Sequence, residues 1–290
     1  SVVLDDPSSG AFTYTPNAGY NGVDTFTFLA NDGELDSGTA TATVTVAAVN
    51  DAPSFTAGGD QAVLEDAGPQ SVQWAGDVVD GDDNNQLLTF AVSNDNNGLF
   101  SGQPAIGADG TLSYTPTPDA NGSATVTVTL SDDGGTDNNG ADTSSTSRFT
   151  ITVTPVNDVP SFTKGADQTV NEDAEAQTVV GWATGISAGP ADESGQTLTF
   201  NVSNDKPALF SAQPAVSADG SLSYALMADV NGSATVTVSL SDNGGTDNGG
   251  VDTSATQTFV IAITESNAAP TVDDFAKSGA GTAIYFAAAD

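Results

Sequence analysis

One eight-residue stretch recurs along this chain and divides it into repeats. It reads VNDAPSFT at residues 49–56 and VNDVPSFT at residues 156–163, and a weaker copy, NAAPT, stands at residues 267–271. The copies are therefore about 110 residues apart, which is the length of a β-sandwich domain and exceeds that of a helical repeat unit. The chain is predicted to be a row of such domains, with the recurring stretch as the linker between them.

The repeat predicts four segments. Residues 1–48 form the C-terminal part of one repeat, residues 49–155 and 156–265 form two complete repeats, and residues 266–290 supply the N-terminal strands of a further repeat. The complete repeats match closely near their ends, where residues 121–128 and 231–238 both read NGSATVTV. We expect the incomplete outer segments to be parts of a longer array.

Apolar and polar residues alternate in short runs, and Gly, Asn and Asp mark turns between these runs. This pattern predicts roughly seven short strands in each complete repeat and favours an all-β fold of tandem immunoglobulin-like β-sandwich domains in a linear array. Trp74 and Trp182 occupy matching positions in the two complete repeats. We expect both indoles to pack between the sheets.

The charge of the chain argues against several classes of partner. It has 38 acidic and four basic residues and no histidine, so its formal net charge is −34. Nucleic acid and anionic membrane surfaces would repel such a chain. Self-repulsion also destabilises the compact state, so multivalent cations are expected to take part in the folded form.

The composition also indicates a cellular compartment. The sequence has no cysteine, hence no disulfide framework and no thiolate metal site. It contains no apolar run long enough to cross a membrane, so membrane insertion is not expected. An acidic chain of short strands and polar turns, without cysteine, is predicted to lie outside a bacterial cell, at the cell surface.

The linker stretch places oxygen ligands beside a stiff backbone. Proline fixes φ and forces the residue before it into an extended conformation, so the chain enters each domain as an extended segment. Asn50 and Asp51, and likewise Asn157 and Asp158, lie next to that segment. Such oxygens could hold a hard cation, although Asn, Asp and Pro are also ordinary linker residues.

Three further acidic clusters recur in each complete repeat. Calcium takes about six to eight oxygens from carboxylates, amides and backbone carbonyls, so these clusters suit it. The EF-hand pattern is not met, because no glutamate closes a twelve-residue loop. The clusters are Glu65 with Asp66 and Glu172 with Asp173, then residues 80–84 (DGDDN, with Asp80 and Asp82) and their counterpart, residues 192–194 (DES, with Asp192), and finally Asp132 and Asp242.

Taken together, these elements resemble the cadherin-like tandem repeats of large bacterial surface proteins. The resemblance covers nearly the whole chain and implies calcium at each linker, held by the preceding domain, the linker and the following domain. The ligands that it implies between the complete repeats are Glu65, Asp66, Asn157, Asp158, Asp192 and Asp242. Those that it implies at the linker before them are Asn50, Asp51, Asp80, Asp82 and Asp132.

The sequence departs from the family pattern at some positions. At the last linker the corresponding residues are Glu172, Asp173 and Asn267, but Ala268 replaces the linker aspartate, so calcium there is expected to be weaker or absent. The second complete repeat also has Pro190 where the first has Asp80, which leaves a poorer Asp-x-Asp element.

The resemblance implies a structural and adhesive segment, in which calcium limits bending between neighbouring repeats of one polypeptide. Two alternatives remain open. The chain could bind surface glycans through Tyr20, Tyr114 or Tyr224, or identical chains could form a fibre by completing each other's sheets head to tail. Catalysis is not expected, because the sequence lacks histidine, cysteine, a nucleophile elbow and a phosphate-binding glycine-rich loop.

Overall fold

The computed structural model describes residues 1–82 and 85–265. These residues form 22 strands and five short 3₁₀ turns, which confirms the predicted all-β class. They divide into two compact units, Ser1–Thr154 and a unit that begins at Pro155, and each is described by itself. The predicted segment 266–290, which contains Asn267, lies outside the described residues. In the described part of the chain, no helix has the length and apolar character needed to span a membrane.

The N-terminal segment consists of two antiparallel hairpins. Its paired strands are β1 (Val2–Asp6) with β2 (Ala11–Tyr14), and β3 (Gly22–Phe28) with β4 (Ala40–Val46). The hairpins contact each other through Phe12 in β2 and Phe26 in β3, whose ring centroids are 4.9 Å apart. These two aromatic residues supply an edge-to-face contact between the two small sheets.

A phenol and a carboxylate make a second contact between the same hairpins. The Tyr14 hydroxyl donates a hydrogen bond of 2.8 Å to Oδ2 of Asp24. Ionisation of the phenol would lose this bond and bring two negative charges together, which raises the pKa of Tyr14 to about 12. The same bond, with a second one from the Thr25 amide, lowers the pKa of Asp24.

The substitution Asp24→Asn is expected to move the pKa of Tyr14 from about 12 toward its usual 10, because it removes the neighbouring charge. The fold stabilises the protonated phenol, so this contribution is complete below pH 10 and is lost as the pH rises through about 12. A tyrosine ¹³C NMR titration measures the shift. Asp5→Asn is the control, because Asp5 accepts its hydrogen bond from Thr13 in the same hairpin. An unchanged Tyr14 pKa in the Asp24→Asn variant would contradict the assignment.

Residues 50–154, here called the first repeat, form a sandwich of two sheets. Its strands are β5 (Ser54–Thr56), β6 (Gln61–Leu64), β7 (Gln70–Gln73), β8 (Gly76–Val79), β9 (Thr89–Asn94), β10 (Phe100–Ile106), β11 (Thr111–Pro116), β12 (Gly122–Ser131) and β13 (Ser147–Thr154). One sheet has the order β6-β13-β12-β9 and the other β10-β11-β7, while β5 pairs with β8. The pairing of β6 with β13 is parallel, and the other pairings are antiparallel.

Residues 157–265, here called the second repeat, have the same topology. The strands are β14 (Ser161–Thr163), β15 (Gln168–Asn171), β16 (Gln177–Val179), β17 (Thr184–Ser187), β18 (Thr199–Asn204), β19 (Phe210–Val216), β20 (Leu222–Leu226), β21 (Gly232–Ser241) and β22 (Gln257–Thr264). Its sheets have the orders β15-β22-β21-β18 and β16-β20-β19, and β14 pairs with β17. The agreement between the two repeats confirms a tandem immunoglobulin-like arrangement.

The core of each repeat lies between its two sheets, because the longest strand alternates apolar and hydroxyl side chains. In β12, Val126 and Val128 are fully buried, while the intervening threonines lie on the other face of the sheet. Val236 and Val238 repeat this pattern in β21. The strict alternation therefore fixes which face of the long strand meets the core.

Aromatic residues fill the space between the sheets. Trp74 and Trp182 are each 4% exposed, which confirms that both pack in the core. Tyr114 and Tyr224 are 5% and 4% exposed, so neither ring offers a face to a sugar. The proposed glycan platform is therefore wrong for these two tyrosines, and the physical reason is that their strand positions point into the sandwich.

Candidate metal sites at the linker residues

The second repeat begins at an asparagine whose side chain its own domain holds in place. Asn157 Nδ2 donates to Oδ1 of Asp242 at 3.1 Å and to the carbonyl oxygen of Val251 at 2.9 Å. The Val251 amide donates in turn to the Asn157 carbonyl oxygen at 2.9 Å. The loop between β21 and β22 thus wraps around Asn157 and ties the linker to the domain.

Gln196 completes the surroundings of Asn157. Its Nε2 atom donates to Oδ1 of Asn157 at 2.8 Å. Both Asn157 amide protons go to a carboxylate and a carbonyl, which can only accept, so Asn157 must present Oδ1 to Gln196. Gln196 must present its NH₂ group in return. The network therefore fixes both amide orientations and turns Gln196 Oε1 away from Asn157.

The next linker residue is held by a buried glutamate. The Asp158 backbone amide donates to Oε1 of Glu193 at 2.8 Å. Glu193 ends the 3₁₀ turn Ala191–Glu193 and is only 6% exposed. Burial raises its pKa, and the charges of Asp158, Asp192 and Asp242 raise it further, whereas the bond from the Asp158 amide lowers it.

The first repeat has an equivalent arrangement around Asn50. Asn50 Nδ2 donates to Oδ1 of Asp132 at 2.8 Å and to the Ala141 carbonyl oxygen at 2.7 Å, and Asn50 Oδ1 accepts from Gln86 Nε2 at 2.7 Å. The Asp51 amide donates to Oδ2 of Asp82 at 3.0 Å. We call Asn50, Asp51, Asp82, Gln86 and Asp132 the first linker site, and Asn157, Asp158, Glu193, Gln196 and Asp242 the second linker site.

Each linker site contains buried oxygens without a donor. Among residues 1–82 and 85–265, the five buried side-chain atoms found without a hydrogen-bond partner are all oxygens, and all belong to these two sites. They are Gln86 Oε1 and Asp132 Oδ2 in the first site, and Glu193 Oε2, Gln196 Oε1 and Asp242 Oδ2 in the second. Such oxygens cost free energy unless a donor or a cation approaches them.

The other oxygen of these carboxylates binds the linker. Asp132 and Asp242 each accept from a linker asparagine through Oδ1, and Glu193 accepts from the Asp158 amide through Oε1. Oxygens from carboxylates and amides are the ligands that calcium prefers. A cation would also offset the repulsion that Glu193 experiences from Asp158 and Asp242. The residues present therefore fit calcium.

Two other predicted ligands in these loops have different surroundings. Asp80 Oδ2 accepts from the backbone amide of Gln86 at 3.0 Å, so Asp80 supports the first linker site through the Gln86 backbone. Asp192 is exposed, whereas its neighbour Glu193 is the carboxylate that holds the linker of the second repeat.

Glu65 and Asp66 belong to a separate cluster of the first repeat. Glu65 is 1% exposed and accepts from Asn121 Nδ2 at 3.2 Å, and Asp66 Oδ1 accepts from the Asp119 amide at 3.4 Å. Asn121 directly precedes the ten-residue strand β12, and Asp132 directly follows it. This cluster and the first linker site therefore lie at opposite ends of β12, about 30 Å apart at the rise of an extended strand.

Glu172 and Asp173 take the corresponding place in the second repeat. The Glu172 amide donates to the carbonyl oxygen of Thr264 at 3.0 Å, at the end of β22. Nearby in sequence, Glu265 Oε1 accepts from Asn231 Nδ2 at 3.2 Å, and Asn231 directly precedes β21. Within its unit, the structure therefore separates Glu172 from the second linker site by the length of β21.

The sequence analysis assigns no ligand role to Gln86, Gln196 or Glu193, although Glu193 stands in the acidic cluster at residues 192–194. A signal for the glutamines was present, because each stands two residues before the Leu-Thr-Phe motif that both repeats share at residues 88–90 and 198–200. Sequence does not distinguish Glu193 from its neighbour, because the acidic residues of this loop are Asp80, Asp82 and Asp83 in the first repeat but Asp192 and Glu193 in the second.

Comparisons with known proteins identify a family for this chain and several similar solved structures. A family profile described as bacterial Ig domain matches residues 1–47 and 50–154, more than half of the 290 residues. A mouse protocadherin-24 EC1-3 structure is similar over 83% of this chain and 80% of its own, with 20% identity and a TM-score of 0.45. A human protocadherin-24 EC1-2 structure is similar over 73% of this chain and 98% of its own, with 17% identity and a TM-score of 0.46. No curated protein sequence matches this chain.

Proposed function

This chain belongs to the bacterial Ig domain family, and on that premise we propose that it is a calcium-stiffened structural and adhesion segment of a large extracellular bacterial protein. Residues 49–155 and 156–265 are its complete repeats, and the neighbouring repeats of the same polypeptide are its immediate partners. The segment acts mechanically, by holding a functional tip or a fibre away from the cell surface.

One observation carries the proposal. The buried side-chain oxygens that lack a partner in the described residues all belong to side chains that also hydrogen-bond to a linker residue, and all come from residue types that bind calcium. A chain with 38 acidic and four basic residues has few cationic side chains that could neutralise such groups. Divalent cations are the simplest source of the missing charge.

The residues of the second linker site have distinct roles in this proposal. Asp242 and Glu193 each use one oxygen to hold the linker and offer the other to the ion, and Gln196 adds a neutral oxygen. When bound, calcium supplies positive charge that neutralises the clustered carboxylates. Asn157 keeps the linker seated against the domain by hydrogen bonds alone.

The cadherin resemblance extends the ligand set to the preceding domain. On this basis Glu65 and Asp66 of the first repeat complete the calcium site of the linker at Asn157 and Asp158. Asp192 is a further ligand in the same proposal. Glu172, Asp173 and Asn267 serve the following linker with lower affinity, because Ala268 replaces an aspartate there.

Calcium is expected to raise the thermal unfolding midpoint of the chain above that in excess chelator. A ligand that binds only the folded state stabilises it by about 2.7 kcal/mol at a hundredfold excess over its dissociation constant. Differential scanning calorimetry measures this change, and small-angle scattering measures whether chelation shortens or softens the molecule.

Asp242→Asn and Asp247→Asn are a matched pair for this experiment, since both replace an aspartate of the same loop. Only the first lies in the linker site, so only the first is expected to reduce the calcium-dependent rise. If calcium changes neither the midpoint nor the dimensions of the chain, the carboxylates are a solvated surface and the proposed function is wrong.

A further inference from the structure

The side-chain amides of the two linker-site glutamines, Gln86 and Gln196, each use only one of their two polar groups among the described residues: the NH₂ group donates a hydrogen bond, whereas the oxygen accepts none. In the second site, Nε2 of Gln196 is bound to Asn157 while Oε1 is buried without a partner among the described residues. In the first site, Nε2 of Gln86 donates to Asn50 Oδ1 at 2.7 Å and to Asp82 Oδ2 at 3.3 Å, and Oε1 is likewise buried and unpartnered in the described part of the chain. The network itself fixes these orientations, because a flipped amide would set its oxygen against an asparagine oxygen.

Both linker sites contain a glutamine at this position, although the neighbouring carboxylate differs between them. The carboxylate that holds the linker amide is Asp82 in the first site and Glu193 in the second. The spacing to the glutamine changes too, from four residues to three. A glutamate would supply more charge to a cation, yet it has no proton for the asparagine oxygen. A neutral amide is the side chain that offers an acceptor on one side and a donor on the other.

We propose that Gln86 and Gln196 are relay residues, which bind the linker-site cation through Oε1 and the linker asparagine through Nε2. Occupancy of the site is thereby transmitted to the linker through a single amide group. This inference rests on the proposed calcium function and adds to it the route by which the ion fixes the hinge.

Polarisation supplies the physical coupling. A cation at the amide oxygen draws electron density from the NH₂ group and makes it a stronger donor, as in any hydrogen-bonded chain that ends on a charge. The strengthened bond holds Asn157, whose carbonyl oxygen accepts from the Val251 amide. Hydrogen exchange at Val251 therefore reports how firmly the linker is seated, and exchange at Ala141, which donates to Asn50, reports the same for the first repeat.

The substitution Gln196→Glu separates a relay from a simple ligand, because it keeps an oxygen for the cation but removes the donor for Asn157. In the full chain, we expect calcium to slow exchange of the Val251 amide of the unsubstituted protein by about tenfold relative to chelator, which corresponds to one strengthened hydrogen bond. In the Gln196→Glu variant, Val251 should exchange roughly tenfold faster in chelator, and calcium should no longer slow it. The probe is calcium chloride against EGTA, and amide exchange is read by NMR or mass spectrometry.

Gln213→Glu is the matched control, because it adds the same charge at an exposed glutamine of the same repeat. Its Val251 exchange should follow that of the unsubstituted protein. Gln86→Glu, read at Ala141, repeats the test in the first repeat, where it also removes the donor to Asp82 Oδ2. If one of the two variants folds poorly, the other still tests the relay.

Two results would overturn the relay, and they differ in what else they overturn. If calcium slows exchange in the unsubstituted protein and in the Gln196→Glu and Gln86→Glu variants alike, the glutamines are ordinary ligands and the calcium function stands. If calcium neither binds nor slows exchange in the unsubstituted protein, the proposed function fails together with the relay.

Discussion

Replacement of Trp182 by alanine is expected to lower the free energy of unfolding of the second repeat by about 3–5 kcal/mol, the usual cost of truncating a large buried aromatic side chain. The indole is 4% exposed, and its ring centroid lies 4.4 Å from that of Phe259. Its Nε1 atom donates to the carbonyl oxygen of Ala166 at 3.0 Å. Truncation therefore opens a cavity between the sheets and also removes the donor for that carbonyl.

Urea unfolding followed by circular dichroism measures this loss. The chain has two tryptophans, so in the variant Trp74 is the sole tryptophan and its fluorescence reports the first repeat. That signal should keep its midpoint while the second repeat unfolds earlier. The result therefore tests the prediction and the separate folding of the two units at once.

Val180→Ala is the control for the tryptophan substitution. Val180 lies two residues away but is 83% exposed, so its truncation should change the free energy of unfolding by no more than about 0.5 kcal/mol. A loss of no more than about 0.5 kcal/mol in the Trp182→Ala variant would contradict a core role for the indole, since that is the range of ordinary surface changes.

The sequence predicted the fold because the fold depends on features that a sequence displays. The alternation in β12 and β21 fixes which residues face the core, and Trp74 and Trp182 stand in register in both repeats. A repeat length of about 110 residues then leaves few architectures other than a tandem sandwich. Agreement between pattern, turn chemistry and repeat length made this level of structure predictable.

The linker sites were less predictable from sequence, because they depend on the direction in which individual side chains point. Asp192 and Glu193 are adjacent acidic residues, and sequence alone does not tell which one points inward; the 3₁₀ turn Ala191–Glu193 buries Glu193. The role of Gln196 depends on which of its amide atoms faces Asn157, and that follows only from the complete hydrogen-bond network. Composition had directed attention to carboxylates, whereas part of each linker site is made of neutral amides.

The structure also explains why the loop after the longest strand of each repeat contains glycine. The sequence Asp-x-Gly-Gly-Thr-Asp-Asn follows β12 and β21, and it suggests a flexible turn. In the second repeat the first glycine of this run, Gly244, packs directly against Asn157: a Cβ atom added there would overlap Oδ1 of Asn157 and lie 2.7 Å from Nε2 of Gln196. The glycine is required because the linker side chain occupies the space that a side chain would need.

The substitution Gly244→Ala is therefore expected to expel Asn157 from its place and to cost about 2–4 kcal/mol in the free energy of unfolding. The loss arises because Asp242 and the Val251 carbonyl lose the donor that Asn157 provides, and Gln196 loses its acceptor. Calcium affinity should fall with it, because the oxygens of Asp242 and Gln196 are no longer held in place. Calorimetry of unfolding and of calcium binding measures both effects.

Gly195→Ala is the matched control, because a Cβ atom at Gly195 meets no other atom within 4 Å although the residue directly precedes Gln196. Gly134→Ala should reproduce the effect in the first repeat, where an added Cβ atom would overlap Oδ1 of Asn50. If Gly244→Ala retains both stability and calcium affinity, the seated asparagine does not matter for the site. Gly244→Ala adds a methyl group without changing any charge. If Gly244→Ala lowers calcium affinity while Gly195→Ala does not, calcium binding therefore depends on the position of Asn157.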